Sequence, residues 1–344
     1  MRQQESVKIT FYNVHRCGYY QIGHDTPDFS SLGDVLTQLQ AWTNGVALSL
    51  TKIADPGGKN EEYPVYLLGI ERHGDEWAFA TWNEVPSHES GVASVNLDSK
   101  VGKPLVHING IQPNSIPGYA TYFWAMPNEG LIASIRFKHK SSGQEQMRKY
   151  LKRFMSVFMS YAVKSEDSEG NFVVIGYTDA DDGKPKKAKP YFKTTAFVKP
   201  AQRSFLLENC HNIRKVVRKG RVTVTNGIHR SWWQSTIKFF HGSEDAASHV
   251  FVDKSFYVDL EYQPDRDELA SMINMEEQEP EGAGWDDMGF VMMREPNKIH
   301  WLGRNSASGD FNLMIEHIDE EAVDLKFLLY VLRQNKTHIL NLLG

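Results

Sequence analysis

The sequence predicts an α+β fold of antiparallel sheets with few amphipathic helices, arranged as two domains with a C-terminal helix. Three observations carry this. Apolar residues recur with period two in many short segments, helical spacing appears in only a few, and 344 residues exceed what one core comfortably organises. A hydrophobic content of 41% with 12% aromatic residues is enough to fill such cores. The predicted division is residues 1–165, ending in a basic amphipathic helix, and residues 172–344. The polar stretch 165–171 lies between them.

The chain opens with Val7, Ile9 and Phe11 at alternate positions, as a half-buried strand requires. The period then changes. Leu32, Val35, Leu36, Leu39 and Trp42 fall at helical spacing, and Ser31 stands where an N-cap belongs. Residues 55–60 interrupt the pattern, and residues 63–71 and 76–82 read as a hairpin turned at Gly74. Residues 83–103 read as irregular. A second strand pair, 119–126 and 131–137, is rich in aromatic and β-branched residues. Residues 144–163 form the clearest helix, with Met147, Tyr150, Leu151, Phe154, Phe158 and Tyr161 on one stripe.

Further strands are predicted at 172–178, 191–198, 221–225 and 250–262. Residues 204–217 read as a helix with Phe205, Leu206, Cys210, Ile213 and Val217 roughly on one side. Eleven carboxylates face one arginine, Arg266, between residues 259 and 287, so 264–287 is predicted to be an acidic loop. Residues 319–343 read as the C-terminal helix. Asp319, Glu320 and Glu321 sit at its start, where the macrodipole favours negative charge, and Leu325, Leu328, Leu329, Leu332, Ile339 and Leu343 form its buried side.

Charge is unevenly spread. Residues 184–221 hold twelve Lys/Arg and one carboxylate, Glu208, in a chain of formal net charge −5, which leaves −16 on the other 306 residues. Such separation suggests a polyanion-binding surface, because several phosphates must be neutralised together for counterions to be released. The candidates are Lys184, Lys186, Lys187, Lys189 and Lys193, then Arg214, Lys215, Arg218, Lys219 and Arg221, with Arg230 beyond them. The helix at 144–163 adds Arg148, Lys149, Lys152 and Arg153, in a segment where 136–153 holds seven Lys/Arg against Glu145 alone. The competing reading is a set of solvated surfaces that never meet in space. No base-reading motif is present, so binding is expected to tolerate any sequence.

Trp232-Trp233, beside Arg230 and Lys238, offers rings for stacking on unpaired bases, although such a pair more often serves a core or an interface. A metal-dependent nuclease needs converging carboxylates, and Asp259 and Glu261 share one strand face, with His211, His241 and His249 available. No lysine follows them at the spacing of a nuclease strand motif. His211, Asn226 and His229 are too closely spaced at the end for a His-Asn-His site. There is no Gly-rich phosphate loop, nucleophile elbow or zincin motif, and Cys17 and Cys210 are too few for a disulfide framework or a thiolate zinc site. No catalytic residue, metal or cofactor is therefore predicted. No run of eighteen uncharged apolar residues occurs and the first residues lack an apolar signal core, so a cytoplasmic protein without membrane insertion is expected.

The order of elements resembles the RexA-like phage-exclusion family. The residues that carry the resemblance are a first strand with Phe11-Tyr12, the short helix LGDVLTQLQ, the hairpin YPVYLLGIERHGDEWAFATW, and Pro117-Gly118 leading into an aromatic strand pair. The helix QMRKYLKRFM and the strand PYFKTTAFVK follow in the family's order. The resemblance implies a homodimeric, sequence-tolerant DNA-binding protein of phage defence and abortive infection, with a partner protein in a defence operon. The alternatives are the metal-dependent nuclease and a non-catalytic interaction module using the helix at 319–343.

Overall fold

The computed structural model describes residues 2–53, 63–86, 92–108, 111–137, 143–168, 170–180, 183–197, 199–222, 254–277, 287–296, 298–302, 307–319 and 322–344. The chain forms two compact units, one of Met1–Lys199 with Ser306–Gly344 and one of Pro200–Asn305.

In the first unit, β1 (Arg2–Gln21) is followed by α1 (Leu32–Thr43), the hairpin β2 (Val65–His73) and β3 (Glu76–Glu84), and the short strands β4 (Ser94–Asn96) and β5 (Val106–His107). Next come the hairpin β6 (Ser115–Met126) and β7 (Leu131–Arg136), α2 (Gln144–Val157), a small hairpin β8 (Ala162–Glu166) and β9 (Phe172–Tyr177), and β10 (Ala188–Ala196). The second unit holds α3 (Pro200–Glu208), β11 (Ile213–Val222), β12 (Lys254–Glu261), α4 (Arg266–Glu277), β13 (Asp287–Met292) and β14 (Ile299–Trp301). The chain then returns to the first unit as β15 (Ser308–Glu316), α5 (Leu325–Gln334) and α6 (Lys336–Leu340). The α+β class is as the sequence predicts.

The first unit is organised on β1. Its residues 2–10 pair with β15, 8–13 with β7 and 12–21 with β10, all antiparallel. The main sheet runs β10-β1-β7-β6-β3-β2. One face is covered by α1 and α2, whose Leu32, Val35, Leu36, Leu39, Met147 and Leu151 pack with Phe79 and Phe123. The other is covered by α5, where Leu328, Leu329 and Leu332 pack with Val7, Ile9, Phe11, Trp82 and Trp124.

A bulge divides β1. Val14 stands opposite Thr194 but Arg16 opposite Lys193, so His15 is an extra residue. An extra residue inverts which face the following side chains take. Ile9 and Phe11 therefore point toward α5, whereas Cys17 and Tyr19, also odd-numbered, point into the α1–α2 core.

Several described segments differ from the sequence reading, among them residues 83–103, which read as irregular but contain β4. The helix at 144 ends at Val157, and residues 162–166 form β8 instead. The predicted helix at 204–217 is a helix only to Glu208, and residues 213–222, which carry the second basic cluster, are a strand. Val216 and Val217 are β-branched and both buried, one on each face of their sheet. The predicted acidic loop contains α4. The Asp265 carboxylate accepts from the amides of Asp267 (2.9 Å) and Glu268 (2.8 Å), and the Glu268 carboxylate accepts from the Asp265 amide (2.9 Å). This is a capping box, and Leu269, Met272 and Ile273 are buried behind it. The C-terminal helix starts at Leu325, capped by Asp324, which accepts from the Phe327 amide at 2.8 Å. Asp319 lies in the preceding turn, where its carboxylate accepts from the Ala322 amide.

The division of the chain also differs from a cut between residues 165 and 172. β8, β9, β10, β15 and α5 all belong to the first unit, because β1 has backbone edges for β10 and β15 that no local strand fills. Lys336 of α6 ties the chain end down, donating to Glu76 (2.9 Å) and Glu129 (2.6 Å), while Glu76 also accepts from the Trp124 indole (2.9 Å).

Because Leu328 is wholly buried against the sheet, Leu328→Ala should lower the unfolding free energy by about 2–5 kcal/mol. In urea this appears as a lower midpoint at an unchanged slope.

Candidate nucleic-acid interface

The predicted basic residues fall on both units, and the first unit brings most of the described ones together around β10. α2 buries Met147, Tyr150, Leu151, Phe154 and Met155, which turns Arg148, Lys149, Lys152 and Arg153 to its outer side. Gln144 donates to the Thr194 hydroxyl at 2.8 Å, and Tyr150 donates to the Thr51 carbonyl at 3.0 Å, so the helix is held against β10 and the core. Lys149 pairs with Glu145 at 2.9 Å, one turn earlier. Tyr177, at the end of β9, donates to the Ser156 carbonyl at 3.2 Å. Burial raises the pKa of its hydroxyl, and the positive charge of Arg153 acts in the opposite sense.

The segment before β10 is anchored at the same place. The Lys186 amide donates to the Tyr177 carbonyl at 2.8 Å, its ammonium pairs with Asp179, and it lies 5.3 Å from the Phe29 ring centroid. Asp179 is held below the usual carboxylate range chiefly by that bond from Lys186. Lys184, Lys187 and Lys189 are exposed along the segment.

β10 then splits its side chains between two faces. Ala188 and Phe192 enter the core under α2, so Lys189, Tyr191 and Lys193 take the opposite face. There they meet Arg16, Gly18 and Tyr20 of β1, which the bulge has turned to that side. The Arg16 guanidinium lies 5.3 Å from the Tyr20 ring centroid and 5.6 Å from that of Tyr191, and the two rings meet edge to face at 5.6 Å. Arg16 also pairs with Asp25, which is 93% exposed and so holds it only weakly. Gly18 sits between them with φ 140°, and a Cβ there would come within 2.8 Å of the Ser30 carbonyl. The chain leading into α1 therefore packs directly on the Gly18 backbone. Arg16, Tyr20 and Tyr191 were not among the predicted site residues. Arg16 stands alone among uncharged neighbours, and only the bulge sets it beside the lysines.

The second unit treats its basic residues differently. β11 is an inner strand of the sheet β12-β11-β13-β14. Lys215 donates to Asp259 at 3.1 Å and Arg214 to Glu261 at 3.0 Å. Both nuclease candidates thus hold a cation from the neighbouring strand. Arg218 is half-buried, and Lys219 and Arg221 lie on the same strand. His211 contacts Asn212 at 3.1 Å. Arg230, Trp232, Trp233, His241, His249, Asn226 and His229 lie outside the described residues. Among the described residues no group of three or more His, Cys, Asp and Glu converges as a metal site would require. Nor is any helix among them long and apolar enough to cross a membrane.

Comparison with protein-family models, with curated proteins and with solved structures finds no match. Any functional reading therefore rests on the chemistry of the site. Cations on α2, on 184–189 and on the outer face of β10 lie around one edge of the main sheet, with the rings of Tyr20 and Tyr191 among them.

The Asp179–Lys186 pair gives a pH prediction. A depressed folded pKa stabilises the fold above the ordinary carboxylate range, near 3.9, and that contribution is lost as pH falls through the folded value. Lys186→Met should return the Asp179 titration upward toward the ordinary value, as followed by the carboxyl carbon shift in NMR. An unchanged midpoint would show that Lys186 is not the cause.

Proposed function

We propose that this chain is a sequence-tolerant DNA-binding protein that grips the phosphate backbone through the edge of the first unit's sheet. The observation that carries the reading is the clustering around β10 of Arg16, Lys189 and Lys193 on one face with the α2 cations on the other. Lysines and arginines fixed on strands and helices keep their spacing, so several phosphates are neutralised at little further ordering cost. Lysines and arginines spread along strands and a helix suit contacts to the phosphate backbone, which carry no sequence information.

The resemblance to RexA-like phage-exclusion proteins supports a role in phage defence by abortive infection, acting as a homodimer with a partner protein. That role follows from the reading of the site as a DNA grip and stands or falls with it. The second unit is not the primary grip in this reading, because Arg214 and Lys215 each stand beside a carboxylate, Glu261 and Asp259, which lowers the net positive charge there. The same pairing disfavours the metal-dependent nuclease, since a divalent ion would have to displace both cations.

Affinity for duplex DNA should fall steeply with salt. Replacing Arg16, Lys189 and Lys193 by Gln should flatten the slope of log K against log salt by about 0.9 for each phosphate no longer neutralised. Replacing Arg214 and Lys215 should leave the slope nearly unchanged. The reverse pattern would move the interface to the second unit. Cleavage in Mg²⁺ or Mn²⁺ that disappears in Glu261→Ala would favour the nuclease instead.

A further inference from the structure

The first unit carries a groove of about 550 Å³ between α5 and the strand pair β1–β15, a size common among small-molecule sites. One wall is a stripe of α5. Phe327, Tyr330 and Gln334 recur there at helical spacing, on a different side of the helix from the core residues Leu328, Leu329 and Leu332. The other wall follows from strand register, which sets Gln4 opposite Met314 and Arg2 opposite Glu316.

Three features define what fits this groove. The first is an open aromatic surface. Tyr330 is 58% exposed and Met314 46%, and the Tyr330 ring lies 6.1 Å from that of Phe327. The Arg2 guanidinium already sits over Phe327 at 4.4 Å, so Tyr330 supplies the ring that remains for stacking. The second feature is neutrality. Arg2 is the one charged residue lining the groove among the described residues, and its Nε donates to the Glu316 carboxylate at 2.9 Å. The third is uncommitted hydrogen-bonding capacity. The side-chain amides of Gln4, Asn312 and Gln334 make no hydrogen bond among the described residues, and each sets donors beside an acceptor.

We infer that this groove binds a neutral adenine nucleoside, its base stacked on Tyr330 and its edge read by the amides. Any base offers a flat face to an open aromatic ring, and the amides choose among bases. The N6 donor and N7 acceptor of adenine match the paired donor and acceptor of an Asn or Gln amide, whereas guanine shows two acceptors at that edge. A phosphate on the ligand would bring its charge beside Glu316, which has already engaged Arg2. The groove therefore suits the unphosphorylated nucleoside. This inference concerns a small ligand and does not depend on DNA binding.

The test is equilibrium dialysis of the full chain, without DNA, against adenosine, guanosine, adenosine monophosphate and glucose. Adenosine should bind most tightly, and the added phosphate should not improve binding. Tyr330→Ala should weaken adenosine binding by about tenfold, the scale of one lost base–aromatic stack, while Tyr330→Phe retains it. Tyr330 is largely exposed, so the urea midpoint should stay unchanged. Replacing both Asn312 and Gln334 by Ala should abolish the preference for adenosine over guanosine. If Tyr330→Ala does not fold, that double variant decides the matter. No binding of adenosine, or binding that none of these changes affects, would overturn the inference. So would guanosine, adenosine monophosphate or glucose binding more tightly than adenosine.

Discussion

The twenty-residue strand β1 is the constraint on which the first unit depends. Its backbone serves three partners, from the middle of the chain (β7), from beyond α2 (β10) and from the C-terminal segment (β15). Each leaves buried amides and carbonyls unpaired if it is missing, and a buried unpaired backbone group costs about as much as a lost hydrogen bond, ~1–3 kcal/mol. The ends of the chain must therefore be brought together before the sheet is complete. In sequence the second unit is an insertion between β10 and β15, and α5 closes the core laid down by Val7, Ile9 and Phe11.

The bulge at His15 links that constraint to the proposed interface. One extra residue reverses the facing of β1, so that a single strand supplies Ile9 and Phe11 to one core and Cys17 and Tyr19 to the other. The same reversal carries Arg16 and Tyr20 to the face on which β10 displays Lys189, Tyr191 and Lys193. Charge at the sheet edge also resists unwanted strand pairing there, so the lysines of β10 protect the edge they occupy.

Much of the fold was legible from residue spacing. Period-two alternation located β1, the two hairpins and β10, and the Ser31 cap with its apolar stripe located α1. What failed was reading through charge. The D-x-x-E capping box at Asp265–Glu268 was submerged in a run of acids, so α4 looked like a loop. The basic residues at 214–221 suggested a helix end, while the β-branched Val216 and Val217 were the better guide. The lysines and arginines of the site were named from composition, but their grouping was not readable. A bulge leaves no period to detect, so Arg16 could not be assigned to the lysine face. Nor does composition show that Arg214 and Lys215 face Glu261 and Asp259 across a strand pair some 45 residues apart in sequence.

Whether DNA lies along the first unit's sheet edge is tested most directly by amide hydrogen exchange, compared with and without duplex DNA at low salt. Binding at that edge predicts protection concentrated in residues 16–20, 148–153 and 184–193, with β11 and β12 unchanged. Protection confined to β11 and β12, or none anywhere on the chain, would contradict it.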